Sequence, residues 1–185
     1  MLSTTLRKLR RRLQGYADTD RLVKRGLEIG PNVYLASGAV VDANFPWLVS
    51  IGSDTTLGPG VYVLAHDAST RRHIGYTRVG RVKIGRRVFI GAYSLVLPGV
   101  TIGDDVIVGA GSVVREDVPA GVMVAGNPAV LVGKTEDYVG HHREQMERRP
   151  RFGRNEYTML DDEEVSLENQ RQMREALTGQ DGYVR

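Results

Sequence analysis

From residue 84 to residue 120 the chain repeats every six residues. Ile84, Ile90, Val96, Ile102, Val108, Val114 and Ala120 are spaced by six without a slip, and Gly follows at 85, 91, 103 and 109. Four residues after each aliphatic stands a second small or apolar residue: Val88, Ser94, Val100, Val106, Ser112 and Val118. A helix requires a period near 3.6 and a free strand a period of 2, so neither accounts for six. A strict hexapeptide period specifies a solenoid of short parallel strands, three six-residue sides to a coil. The aliphatic fills the interior, and the Gly and small residue occupy corners where a Cβ would crowd the backbone. The chain's 22 glycines are a high count, as such tight corners require.

An earlier, less perfect run places Ile29, Leu35 and Val41, then Ile51, Leu57 and Val63, in the same role. Val33, Ala39, Phe45, Thr55, Val61 and Asp67 take the inner second positions. Two breaks interrupt the register. One is Asn44-Phe45-Pro46-Trp47, and the other spans about residues 68–83. Insertions in a solenoid leave as loops on one face, often the binding face.

Three parts are expected: a helical N-terminal arm over 1–25, the all-β solenoid over 26–133, and a helical, partly mobile extension over 134–185. Leu6, Leu9 and Leu13, then Leu22 and Val23, carry the arm's helical spacing. Its cluster Arg7-Lys8-Arg10-Arg11-Arg12 is expected to be a solvated face, with contact to an anionic membrane surface the alternative. Residues 138–147 and 167–177 carry helical spacing in the extension. Cys is absent, which removes disulfides and thiolate metal sites. No apolar stretch is long enough to span a bilayer and the arm lacks a secretory core, so a cytoplasmic location is expected. The net charge of +3 is modest and its basic residues are spread out, so no nucleic-acid partner is expected.

The stretches Ile90-Gly91-Ala92, Leu97-Pro98-Gly99-Val100-Thr101-Ile102-Gly103, Val108-Gly109-Ala110-Gly111-Ser112 and Val124-Ala125-Gly126-Asn127-Pro128-Ala129 resemble the hexapeptide-repeat acyltransferases. The runs Ala43-Asn44-Phe45 and Ala65-His66-Asp67-Ala68-Ser69 resemble the sugar and polysaccharide O-acetyltransferase branch, which includes maltose and galactoside acetyltransferases. The resemblance implies a left-handed parallel β-helix, acetyl-CoA as co-substrate and a homotrimer with sites between neighbouring coils. It also implies an acceptor that is a small molecule or glycan.

The chemistry narrows the residues. Acyl transfer from a thioester to a sugar hydroxyl needs a base, and imidazole can both accept and return the proton. His66 ends a strand where the long loop leaves the coil, so it is the candidate catalytic base. His73 lies within that loop, and His141 and His142 lie outside the coil. Asp67 is a candidate to orient His66 or contact substrate, with a loop cap as the alternative. The resemblance assigns Asn44 to the acceptor pocket, with a turn-forming role as the alternative. A pantetheine channel is expected along Gly91, Ala92, Gly109 and Ala110, with Phe89 beside it. Arg115 and Lys134, with Arg86 and Arg87 as further candidates, are expected near the cofactor phosphates. The family's Thr-Lys before Asp-Val-Pro is replaced here by Arg115-Glu116.

With no Cys and only Ser69 near His66, direct transfer without an acyl-enzyme is expected. No metal is expected. A γ-carbonic anhydrase would need three histidines on zinc, and the coil holds only His66 and His73. The remaining alternatives are an N-acetyltransferase acting on an amino or nucleotide sugar, a serine O-acetyltransferase, and a non-catalytic coil.

Overall fold

Each hexapeptide forms a strand of two or three residues, and the strands stack into three flat faces. A computed structural model describes residues 18–158 and 164–185. The expected arm residues Leu6, Leu9 and Leu13 and the basic cluster beside them lie outside the described residues. The first face stacks Glu28–Ile29, Val49–Ile51, Val82–Ile84 and Thr101–Ile102. The second stacks Tyr34–Leu35, Thr56–Leu57, Phe89–Ile90, Ile107–Val108 and Val122–Ala125. The third stacks Val40–Val41, Tyr62–Val63, Leu95–Val96 and Val113–Val114. All of these pairings are parallel.

The register puts the repeat aliphatics in columns. Ile29 pairs with Ile51, Ile51 with Ile84, and Ile84 with Ile102. Leu35, Leu57, Ile90, Val108 and Val124 form the second column, and Val41, Val63, Val96 and Val114 the third. The step from Ile84 to Ile102 is 18 residues, three hexapeptides; that from Ile29 to Ile51 is 22, and that from Ile51 to Ile84 is 33. The two longer steps absorb the two sequence breaks without disturbing the columns.

These columns are the core. Leu57, Val63, Ile90, Val96 and Val108 are fully buried, and Val61, Val88, Val100 and Val106 fill the second positions. Each such side chain contributes roughly 1.5–3 kcal/mol by leaving water. The inner hydroxyls are satisfied. Ser94 and Ser112 both donate to the Gly109 carbonyl, at 3.0 and 2.6 Å, and Thr55 donates to the Gly85 carbonyl at 2.9 Å. Ala120 departs from the repeat: it is exposed, and Val118 takes the place beside Ile102. The last coil is two residues short, because the chain turns out through Pro119 toward its final strands.

Stacked coils leave no room at certain corners. A Cβ on Gly91 would stand 2.5 Å from the Ala110 nitrogen and 2.7 Å from its Cα, both backbone atoms of the next coil. Gly91→Val should therefore cost at least about 1–3 kcal/mol, the range for overpacking a rigid site. Gly133→Val, with open space at its Cβ, should cost far less. The denaturation midpoints of the two variants check this, and equal midpoints would contradict the stacking.

Both sequence breaks leave the coil on the same side of the third face. The short one becomes a single 3₁₀ turn, Pro46–Leu48. The long one is a hairpin in which His66–Asp67 pairs antiparallel with Arg78–Val79, with a helical turn, Arg71–Ile74, at its tip. Before the first coil a helix, Thr19–Lys24, is N-capped by Asp18 and sends Leu22 into the core cluster with Leu27 and Leu35. After the last coil, Val130–Lys134 pairs antiparallel with Val122–Ala125.

The chain divides into two compact units, Met1–Glu136 and Asp137–Arg185. In the second, the helix Thr135–Arg148, which begins just before it, is followed by Arg151–Phe152, a helical turn Arg154–Tyr157, the helix Leu167–Ala176 and the strand Tyr183–Val184. The two short strands pair in parallel. Among the described residues no helix is long and apolar enough to cross a membrane.

Candidate active site

The corner between the third and first faces is where both insertions emerge, and it carries a buried carboxylate against a histidine. Asp42 follows the strand Val40–Val41 and is only 2% exposed. Its Oδ1 accepts from the backbone nitrogens of Asn44 and Phe45, at 2.9 and 3.1 Å. Its Oδ2 accepts from the backbone nitrogen of Ala65 at 2.8 Å and lies 2.5 Å from Nδ1 of His66. Asp42 thus turns the chain into the first insertion and ties it to the start of the second.

Burial works to raise the Asp42 carboxyl, but the hydrogen bonds from His66, Ala65, Phe45 and Asn44 outweigh it and hold the group below the ordinary carboxylate range. An ionised carboxylate only accepts, so Nδ1 of His66 must donate. Nε2 then keeps its lone pair. The imidazole is about one-quarter exposed, and the Phe45 ring lies against it with centroids 5.3 Å apart. A partly exposed imidazole, fixed in tautomer and orientation, can take a proton from a hydroxyl and give it back.

The carboxylate on His66 is therefore that of Asp42, not Asp67. Asp67 does not enter the interior as its repeat position suggests, because the chain has already left the coil as a hairpin. Its Oδ1 accepts from the Ser69 nitrogen at 2.8 Å, and bonds from Ser69 hold its carboxyl below the usual range. It caps the hairpin. Asp42 carries no motif of its own; the signal for it was a carboxylate two residues before Asn44, in position to cap the turn. Asn44 has an exposed side chain, and its backbone nitrogen serves that turn. His73 is exposed on the helical turn at the hairpin tip. His142 is partly buried within the second unit, and its Nδ1 lies 2.9 Å from the Tyr183 hydroxyl.

The small residues lie elsewhere. Ala92 and Ala110 sit one coil apart at the corner between the second and third faces, half-exposed and exposed. The Gly111 nitrogen donates to the Ala92 carbonyl at 2.8 Å. Gly91 and Gly109 pack beneath the following coils, Gly109 against Ala125. Phe89 projects from the second face beside Ile107, and Lys134 ends the antiparallel strand of that face. Arg115 lies at the far edge of the third face, 3.5 Å from Glu116. Arg86 and Arg87 are committed to Asp104 and Asp105 of the next coil, at 2.7 and 2.6 Å. Within one chain, then, His66 and the Ala92–Ala110 corner stand at opposite edges of the third face. Among the described residues no group of three or more His, Cys, Asp or Glu side chains is placed to hold a metal ion.

The bacterial transferase hexapeptide family (six repeats) matches residues 81–116. The chain is 37% identical over 111 residues to YvoF of Bacillus subtilis, provisionally named an acetyltransferase, covering 60% of this chain and 62% of that protein. The match to CapG of Staphylococcus aureus is 34% over 124 residues, covering 64% of this chain and 72% of CapG. A galactoside acetyltransferase in complex with coenzyme A superposes with a TM-score of 0.55 at 26% identity, over 76% of this chain and 64% of that one. The repeat and these neighbours imply a left-handed wind for the β-helix. Columns of buried aliphatics on three parallel faces, read with these likenesses, place the chain in the hexapeptide-repeat acetyltransferase family.

Proposed function

We propose that this chain transfers an acetyl group from acetyl-CoA to a hydroxyl of a saccharide, with His66 as general base. The observation that carries the reading is the Asp42–His66 pair, a buried carboxylate fixing a partly exposed imidazole with one nitrogen free. In the forward step Nε2 takes the acceptor hydroxyl's proton as its oxygen attacks the thioester carbonyl. The tetrahedral intermediate collapses, the carbon–sulfur bond breaks, and the imidazolium returns its proton to the departing thiolate. No enzyme nucleophile enters. The chain has no Cys, and the backbone of Ser69 is held in the Asp67 cap.

Coenzyme A in the galactoside acetyltransferase supports the same donor here. We assign pantetheine to the corner of Gly91, Ala92, Gly109 and Ala110, with Phe89 beside it, Lys134 of the same chain toward the phosphates, and Arg115, on the His66 edge of the third face, reaching them from a neighbouring copy. That corner and His66 are separated by the third face in one chain. The site is completed when the His66 corner of one copy meets the Ala92–Ala110 corner of another, as in a cyclic homotrimer. The outward residues Phe89, Ile107, Tyr62 and Leu95 leave the second and third faces apolar enough for such contact.

A screen of purified protein with acetyl-CoA against neutral, anionic, amino and nucleotide sugars, reading released thiol, tests the activity. Release with no saccharide in the panel would refute it, and release only with amino sugars would move the reading to N-acetylation. Ala110→Trp should weaken CoA binding by about a hundredfold or more, since a bulky ring fills the channel and displaces contacts worth roughly 3 kcal/mol. Light scattering should still show a trimer. Unchanged CoA affinity would remove the channel from this corner, and a monomer in the parent protein would refute the shared site.

A further inference from the structure

A second recess adjoins the His66 corner, on the outer side of the first face. It is a cleft of about 320 Å³, at the small end of the range for small-molecule sites. Its floor is a row of outward side chains set one per coil by the parallel register: Glu28, Ser50, Lys83 and Thr101. Neighbouring coils stand about 4.8 Å apart, so the row offers a hydrogen-bonding group at each such step. Arg81 and Trp47 also line it, with the apolar Leu48, Val49 and Val82.

Trp47 is the chain's single tryptophan and is 54% exposed. It is held rather than loose. The backbone of Gly26 lies beneath it, so close that a Cβ there would stand 2.8 Å from that of Trp47. Its ring meets the edge of Phe45, with centroids 5.6 Å apart, and Phe45 in turn lies 5.3 Å from His66. Two ring-to-ring steps therefore join the cleft's indole to the base. Arg81 and Lys83 form no ion pair with the described residues, while the cleft holds one carboxylate, Glu28.

An exposed, fixed indole offers a flat apolar face to the C–H side of a sugar ring. Hydroxyls and a carboxylate in a row suit sugar hydroxyls, which both donate and accept. Two cations against one anion leave a surplus positive charge for an anionic substituent. From these features, and resting on the acetyltransferase reading above, we infer that this cleft binds the acceptor and that the acceptor is an anionic saccharide. Trp47 stacks on the sugar, Ser50 and Thr101 bind its hydroxyls, and Arg81 and Lys83 bind its carboxylate or phosphate.

The single tryptophan makes the test direct. Fluorescence of Trp47 in the intact protein, without acetyl-CoA, is titrated with glucuronate, glucose 6-phosphate, glucose and inorganic phosphate. A saturable change with glucuronate or glucose 6-phosphate is expected, and the tighter of the two names the anion. Glucose should bind about tenfold more weakly, the discrimination that one charge-assisted hydrogen bond supplies. The exposed substitutions Arg81→Gln and Lys83→Gln together should erase that difference. The inference is overturned if neither anionic sugar gives a saturable change, if glucose binds equally well, if phosphate alone reproduces the response, or if the double variant keeps the preference. Because nothing is turned over, this failure is separate from failure of the enzymatic reading: an enzyme that acetylates only neutral sugars loses the cleft and keeps its activity.

Discussion

His66→Ala is expected to lower turnover by about 10²–10⁴-fold, the usual loss when a positioned general base is removed. CoA affinity is expected to stay close to that of the parent protein, because the base touches the acceptor hydroxyl and not the cofactor's phosphates. The fold also persists, since the imidazole is partly exposed and belongs to the hairpin that leaves the coil rather than to the core. His73→Ala, on the exposed turn at the hairpin tip, changes turnover little. Near-normal turnover in His66→Ala would sink the assignment. So would an acetylated protein that accumulates when acetyl-CoA is supplied without acceptor, since direct transfer leaves no such species.

Asp42→Asn is the second large effect, and it acts on both rate and stability. The side-chain oxygen of Asn can still accept from the nitrogens of Asn44 and Phe45. Its amide nitrogen then faces the Ala65 nitrogen, donor against donor, and meets Nδ1 of His66 as a donor. A buried donor left without an acceptor costs roughly 1–3 kcal/mol. The imidazole must also accept at Nδ1, which moves its proton to Nε2 and removes the base; the same exchange in a serine-protease triad costs about 10⁴-fold. Turnover should fall by about 10²–10⁴-fold while CoA affinity holds.

The pH dependence of stability follows from the lowered Asp42 carboxyl, in which hydrogen bonding prevails over burial. The folded state binds the proton less readily than the unfolded chain. The stabilisation is thus complete above the unfolded value of about 3.9 and is lost as pH falls through the lower folded value. Asp42→Asn should lack that acid-side loss. Equal acid limbs in thermal melts of the two proteins, or a variant with unchanged rate, would separate Asp42 from His66.

The hexapeptide period determined the solenoid, because a six-residue repeat has one economical way to bury its aliphatic on every turn. The residues of the three columns, from Ile29 to Val114, could be named before any coordinates. So could the two places where loops leave, since 22 and 33 residues between successive coils must expel what three hexapeptides cannot hold. The position of His66 was legible for the same reason, since it stands at the edge of the second loop.

What the period did not determine is everything that depends on which coils are neighbours. Asp42 and His66 are 24 residues apart, and only the stacking of one coil on the next makes them touch. Asp67, adjacent in sequence, was a candidate for that role with a loop cap as the alternative, and the antiparallel hairpin carries it outward into the cap. Arg86 and Arg87 looked free until the next coil brought Asp104 and Asp105 alongside. Ala120 kept the count of six, but the final coil's shortened path put Val118 in its place. The row of Glu28, Ser50, Lys83 and Thr101 has no trace as a motif, because its members come from four separate coils. Periodicity acts along the chain, whereas an active site is assembled across it, by parallel register and by loops whose paths the repeat leaves unspecified.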